Sequence, residues 1–459
     1  MKTPMDILPA RFRLEEELFE IPHRGDSLVY APLRKAVVYG GKGLVNLLVD
    51  LQEGRPVDGT VHGRTLRRLR RLGILDDDRS PRRSRQEKNK DYRQPFQPTT
   101  LTLFLTSDCN LGCPYCYGDG GDRAAAMPVE LGLEAIDLLF LNAARAGAKQ
   151  VQLGFHGGGE PMLKKARLVR LTDHAQMLAE RRRIGLQTGL STNGVMPPRA
   201  AAWVADRIDH LNVSFDGPPE VQNRQRPLKS GAPSYHRVKA TLDYWDDRHK
   251  AYGIRSTVTR ESQARIPEMV VHVQERFRPR SIHLEPMFPS ARAMRHRWEA
   301  PEPEPFVEGF LRAAKILESG GIPLHFSGSS FPELKKAFCG IGWRNFAVTP
   351  AGEVTSCFEV LSGADGRADR FIYGRHVAGK GFVLDPEKIE ALRRLSDTEP
   401  DECRNCFAKY HCAGDCRAKA AVRSGREDGR VPGRCEIIRG IIKGRLLEQL
   451  GLPTQGEGS

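Results

Sequence analysis

The sequence predicts an α/β protein built around a partial (β/α)6 TIM-like barrel, with a winged-helix-like unit before it and a cysteine-rich auxiliary domain after it. Three observations predict this. Six short β-branched or apolar runs alternate with longer amphipathic stretches between Thr99 and Phe288, the pattern of parallel strands joined by helices. The first eighty residues carry a hairpin pattern followed by small helices. All ten cysteines fall into short-spaced groups, seven of them beyond residue 335. A chain of 459 residues accommodates two to four such units, and none of its apolar runs reaches membrane-spanning length.

In the opening unit, residues 1–80, Ser27–Pro32 and Lys35–Tyr39 read as a hairpin. Leu44, Leu47, Leu48 and Leu51 then recur at helical spacing. A second helix over Arg64–Leu72 turns Leu66, Leu69 and Leu72 inward and Arg67, Arg68, Arg70 and Arg71 outward, stops at Gly73 and leaves Ile74 and Leu75 extended. The charged stretch up to Pro98, with Pro81 and Pro95, reads as a mobile linker over residues 81–98. The barrel occupies residues 99–335. Its strands are expected at Leu101–Thr106, Gln150–His156, Gly185–Ser191, His210–Asp216, Gly253–Val258 and Ser281–Glu285. Helical patterns at Leu131–Ala146, Ala166–Arg182 and Tyr235–Ala251 lie between them. The auxiliary domain, residues 336–450, opens with a hairpin over Val348–Thr355 and closes with a helix over Arg434–Leu450 that packs through Ile437, Ile438, Ile441 and Leu446.

Barrels of this kind gather their chemistry at the carboxyl ends of the strands, and the unusual residues lie there. Cys109-x3-Cys113-x2-Cys116 follows the first strand, His156-Gly-Gly-Gly-Glu160-Pro161 the second, Ser191-Thr-Asn193-Gly the third and Asp216-Gly-Pro the fourth. Thiols so grouped bind something. Disulfides are disfavoured, because the start of the chain has no export signal and the protein reads as cytosolic. Zinc fits Cys403, Cys406, Cys412 and Cys416 tolerably, but the first group offers three thiolates where structural zinc wants four ligands. A cubane held by three thiolates keeps one iron open. No Gly-x-Ser-x-Gly elbow accompanies the His-Gly-Gly-Gly run, and no Rossmann glycine pattern is present.

The Cys109/Cys113/Cys116 motif, with Tyr115 before the third thiol, resembles the signature of the radical SAM enzymes. That resemblance implies a [4Fe–4S] cluster on these three cysteines whose open iron chelates S-adenosylmethionine (SAM), reductive cleavage to a 5′-deoxyadenosyl radical, and an electron donor of flavodoxin or ferredoxin type. It places Tyr115 near the adenine and Gly158, Gly159 and Glu160 at the SAM ammonium. Ser191 and Asn193 then line the ribose and carboxylate, with Ser214, Asp216 and Arg255 as further contacts. A barrel-mouth salt bridge would explain Asp216 and Arg255 equally well. Glu285 points into the same region without an assigned task.

Farther on, Cys339-x12-Gly352-x4-Cys357, then Cys403-x2-Cys406-x5-Cys412-x3-Cys416 and Cys435, resembles the SPASM domain. The resemblance implies two auxiliary [4Fe–4S] clusters, one on Cys339, Cys357 and Cys416 and one on Cys403, Cys406, Cys412 and Cys435. Three cubanes with SAM on one iron require eleven protein ligands, and the chain has ten cysteines. The opening unit resembles, in pattern only, the PqqD kind of peptide-recognition domain, which adds a leader peptide to its sheet edge. A structural cap and a DNA-binding winged helix are its rivals.

Together these imply a radical SAM/SPASM peptide maturase that installs a thioether, carbon–carbon or carbon–oxygen cross-link in a ribosomally made precursor. The net charge of +14 suits an acidic leader. Nucleic acid is disfavoured, because no aromatic interleaving accompanies the Arg64–Arg93 stretch. The alternatives are a formylglycine-generating sulfatase-maturase-like enzyme, an RNA-modifying radical SAM enzyme and a non-catalytic iron–sulfur regulator.

Overall fold

The computed structural model describes residues 12–77, 91–122, 124–425 and 429–454. In the opening unit, β1 (Phe12–Leu14), β2 (Phe19–His23), β3 (Asp26–Ala31) and β4 (Ala36–Gly40) precede helices Lys42–Gln52 and Gly59–Arg71, and β5 (Leu75–Asp77) follows them. The hairpin expected from Ser27 to Tyr39 is β3 and β4. Strand β2 completes an antiparallel sheet in the order β2-β3-β4, and β1 pairs with β5. Strand period decides how the unit packs, because alternate side chains leave opposite faces. Val29 and Ala31 meet Leu47, Leu48, Leu66 and Leu69 in a core of their own. Leu28 and Tyr30 point the other way and join the main core. The unit is thereby fixed to the auxiliary domain, where the Tyr30 hydroxyl lies 2.6 Å from His411 Nε2.

The barrel strands are β6 (Thr100–Leu103), β7 (Gln150–Phe155), β8 (Gly185–Thr192), β9 (His210–Ser214), β10 (Gly253–Val258) and β11 (Ser281–Pro286). A seventh, β12 (Leu324–His325), is two residues long and too short to leave a pattern in the sequence. All seven run parallel in sequential order. Helices Val129–Arg145, Lys165–Arg182, Pro198–Arg207, Tyr235–Asp247, Ile266–Arg276 and Pro303–Glu318 cover the outside. They bury Leu139, Phe140, Leu171, Val204, Val238, Leu242 and Val273 against the sheet. Several ends differ from expectation, among them β9, which stops at Ser214 rather than Asp216, and the second helix of the opening unit, which starts at Gly59 rather than Arg64. β6 ends at Leu103, where the Phe104 amide makes its last ladder bond, to the Val348 carbonyl at 3.0 Å. The helix from Tyr235 stops at Asp247 and the chain turns at His249, φ 52°.

The auxiliary domain continues the same sheet. β13 (Asn345–Val348) lies parallel to β6, and β14 (Glu353–Thr355), β15 (Ile372–Val377) and β16 (Gly381–Leu384) extend it antiparallel to eleven strands. Residue 335 is thus no break in the sheet. The expected linker also needs correction where it is described. Arg393 Nη1 donates to the Tyr92 and Gln94 carbonyls at 2.8 and 2.6 Å, and Phe96 meets Tyr373 edge to face. Residues 91–98 are anchored, whereas 81–90 lie outside the described residues.

Candidate active site

The loop after β6 carries Cys109, Cys113 and Cys116 at the carboxyl end of the barrel. The Leu111 amide reaches Cys109 Sγ at 3.5 Å and Asn193 Nδ2 lies 3.7 Å from it. Burial pushes the Cys109 thiol up to about 11, with Glu160 and Cys116 adding to the rise. It pushes Cys113 up to about 12, and there Arg226 opposes while Cys116 and Cys109 add. The three sulfurs therefore act on one another as a single electrostatic group. Three partly buried thiolates so placed are unfavourable alone, and an iron cluster would neutralise them. Among the described residues no three Cys, His, Asp or Glu side chains converge as ligands of one metal ion.

The glycine run after β7 is clasped to this loop. The Glu160 amide donates to the Asp108 carbonyl at 2.8 Å. A Cβ on Gly159 would fall 1.9 Å from that same oxygen, and Gly158 has φ +70°. Only glycine permits this approach. Glu160 turns inward. Its Oε1 accepts from the Met162 amide and Thr192 Oγ1, and its Oε2 from the Asn193 amide at 2.7 Å. Burial raises its pKa against these three bonds. The carboxylate thus ties the loops after β7 and β8 together, with capacity for one more donor on Oε2. Asn193 extends the tie, bonding Asn110 Oδ1 at 2.7 Å. Ser191 and Ser214, at the ends of β8 and β9, are partly exposed.

Asp216 and Arg255 do not pair with each other. Asp216 is fully buried and accepts from Tyr115, Gln225, Arg226 and the Thr257 amide. Its role here is to fix Tyr115, whose ring lies against Arg226 and Trp298. Arg255, half exposed, reaches Glu285 at 3.6 Å. Glu285 also accepts from His283 at 2.6 Å and the Ser327 amide at 2.9 Å, with Arg434 at 3.4 Å. Burial pushes its pKa up, but the His283 bond and the Arg434 and Arg255 cations outweigh it and hold Glu285 well below the usual range. Arg434 clamps Asp415 through Nε at 2.7 and 3.0 Å. Beside them, His156 Nδ1 is buried without a partner and its ring leans on Phe358.

The remaining cysteines segregate by mutual influence. Cys357 feels Cys416 and Cys339. Cys412 feels Cys435 and Cys403, and Cys403 feels Cys406. Burial pushes the Tyr117 hydroxyl up, with Glu359, Cys116 and Cys357 adding to the rise and Arg255 opposing it. The sequence reading missed Arg226, Arg434, Asp415 and Tyr117. Three of them lie next to a cysteine, a signal that could have found them. Arg226 carries no local signal.

Residues 103–270 match the family model of the Radical SAM superfamily. The chain is 25% identical over 353 residues to a PqqA peptide cyclase of Gluconobacter oxydans, covering 74% of this chain and 90% of the relative. It is 26% identical over 376 residues to a PqqA peptide cyclase of Rhizobium meliloti, covering 78% and 92%. Native anSMEcpe with bound AdoMet and Cp18Cys peptide shares the fold, at TM-score 0.60 and 17% identity over 77% of this chain and 99% of that one. No helix among the described residues is long and apolar enough to cross a membrane.

Proposed function

We propose that this radical SAM enzyme matures a ribosomally made peptide by cross-linking it. The observation that carries the reading is the approach of the first cysteine loop to the cysteine-rich domain, where Leu361 lies against Gly118, in one sheet that runs from the barrel into that domain. A peptide lying there would meet both cysteine groups. In this reading Cys109, Cys113 and Cys116 hold the cluster that binds SAM, and the two C-terminal groups hold auxiliary clusters. When bound, cluster and SAM supply a 5′-deoxyadenosyl radical. The chain's own residues hold the cofactor and orient the peptide. Gly158, Gly159 and the spare lone pair of Glu160 receive the SAM ammonium, with Ser191 and Asn193 nearby. Tyr115 is kept in place by Asp216 and Arg226. Arg255 and His156 face the substrate. The relatives named PqqA peptide cyclase support a peptide substrate.

The opening unit would hold the leader. Strand β4 is a sheet edge, and on the other edge Lys443 Nζ already donates to the Pro22 carbonyl at 2.7 Å. A cleft of about 490 Å³ beside the sheet carries Arg24, Lys42 and Lys443 against Glu20 and Asp26, a cationic balance suited to an acidic leader. The test is anaerobic incubation with SAM, a reductant and a candidate precursor peptide, sought among short reading frames beside this gene. We expect 5′-deoxyadenosine and a peptide lighter by one pair of hydrogens, with a new linkage in its fragment spectrum. 5′-Deoxyadenosine without any change in the peptide, or formylglycine formed on a sulfatase peptide instead, would defeat the reading.

A further inference from the structure

We propose that Arg417 donates a hydrogen bond to an iron–sulfur group held on the Cys412–Cys416 loop and so raises its reduction potential. This rests on the auxiliary-cluster reading above and names a residue that would tune those clusters. In that reading the loop Cys412-Ala-Gly-Asp-Cys416 joins the two C-terminal cysteine groups, since Cys412 belongs to one and Cys416 to the other. Ala413, Gly414 and Asp415 all take positive φ, at 52°, 81° and 55°, so the chain curls tightly between the two cysteines. Arg417 folds back over this curl. A Cβ on Gly414 would fall 2.8 Å from Arg417 Nη2 and 3.3 Å from Nη1, so any side chain there would displace the guanidinium. Glycine both tolerates the backbone conformation and leaves the cradle open.

The guanidinium in this cradle is incompletely bonded. Arg417 is only 5% exposed. Its Nη2 donates to the Thr398 carbonyl, which anchors the head just past the helix Pro386–Asp397. Nη1 is buried and has no hydrogen-bond partner among the described residues. A cationic donor withheld from water is costly unless an acceptor meets it. The loop's own carboxylate, Asp415, turns to Arg434, which clamps it through Nε. Cluster sulfurs on Cys412 and Cys416 are anionic acceptors and would lie on the loop that the guanidinium covers. A hydrogen bond to such a sulfur stabilises the reduced, more negative state and raises the potential. That suits the reaction proposed above. One hydrogen of the peptide leaves as an atom in 5′-deoxyadenosine, and the other leaves as a proton and an electron. An auxiliary cluster at higher potential takes that electron more readily.

The test uses the full chain with Cys109, Cys113 and Cys116 replaced by Ala, so that only auxiliary clusters assemble. This parent should carry about eight irons after anaerobic reconstitution. Redox titration followed by electron paramagnetic resonance then reads the auxiliary potentials. Adding Arg417→Met, which fills similar space without a donor, should keep the iron count and move an auxiliary potential to a more negative value. Arg417→Gln removes the charge but leaves an amide able to reach the Thr398 carbonyl, and it should shift the potential in the same direction. Auxiliary potentials equal to the parent's in both variants would overturn the proposal. Loss of iron from both would show that Arg417 only props the loop, and would overturn it as well. A parent holding far fewer than eight irons would instead defeat the two-cluster reading on which it rests.

Discussion

Arg226 and Arg434 are buried cations that set the geometry of the site, one fixing Tyr115 through Asp216 and the other joining Glu285 to Asp415. Removing one member of such a pair strands the other's charge in a poorly solvated place. Arg226→Ala should therefore cost about 3–5 kcal/mol in the urea midpoint at constant slope, and Arg226→Met with Asp216→Asn should recover most of it. An unchanged midpoint in the single variant would show Asp216 to be solvated. His156 gives a pH signature. Burial and then Arg255 pull its pKa from 6.5 to about 4, so the folded protein keeps it neutral. Between those values the unfolded chain binds the extra proton, and stability falls as pH falls through that window. Comparing urea midpoints at pH 7 and pH 5, His156→Phe should lose less on acidification than the parent. The cysteines and the strand-end glycines were legible in the sequence because their chemistry is local. The partners of Asp216 and Glu285 were not, because ion pairs are chosen by how the elements approach in space.

At the scale of elements, the glycine run after β7 and the cysteine loop after β6 behave as one clasp. Gly159→Ala places a methyl group against the Asp108 carbonyl. We expect it to prevent loading of the barrel cluster and SAM cleavage while leaving the far-ultraviolet circular dichroism unchanged; full iron content in this variant would show that the loops can part. The barrel strands were readable from their β-branched runs, as was the second helix of the opening unit from its leucines. Residues 91–98 were misread as mobile, since composition reports their charge but not that Arg393 gathers their carbonyls from three hundred residues away. Arg393→Ala should release them, and limited proteolysis should cut between Asp91 and Pro98 only in the variant. β15 and β16 were missed for a related reason: they exist as additions to a sheet that begins in the barrel.

At the scale of the whole molecule, one eleven-stranded sheet carries both the barrel and the first part of the cysteine-rich domain, and the opening unit packs on the latter. The sequence divided these into units but held no sign of the shared sheet, which depends on β6 pairing with β13 across more than two hundred residues. The Tyr30–His411 contact marks the other junction. Tyr30→Phe leaves a buried imidazole nitrogen short of a partner, and a loss of about 1–3 kcal/mol in the urea midpoint is expected. The central claim is that the barrel starts a reaction on a peptide and the C-terminal cysteine groups finish it. The most direct test measures 5′-deoxyadenosine and cross-linked peptide in the same reaction, for the parent and for a Cys357→Ala, Cys416→Ala variant shown to be folded and to retain the barrel cluster. We predict that the variant still makes 5′-deoxyadenosine and loses the cross-linked product. Cross-linked peptide at the parent's ratio to 5′-deoxyadenosine would contradict the account.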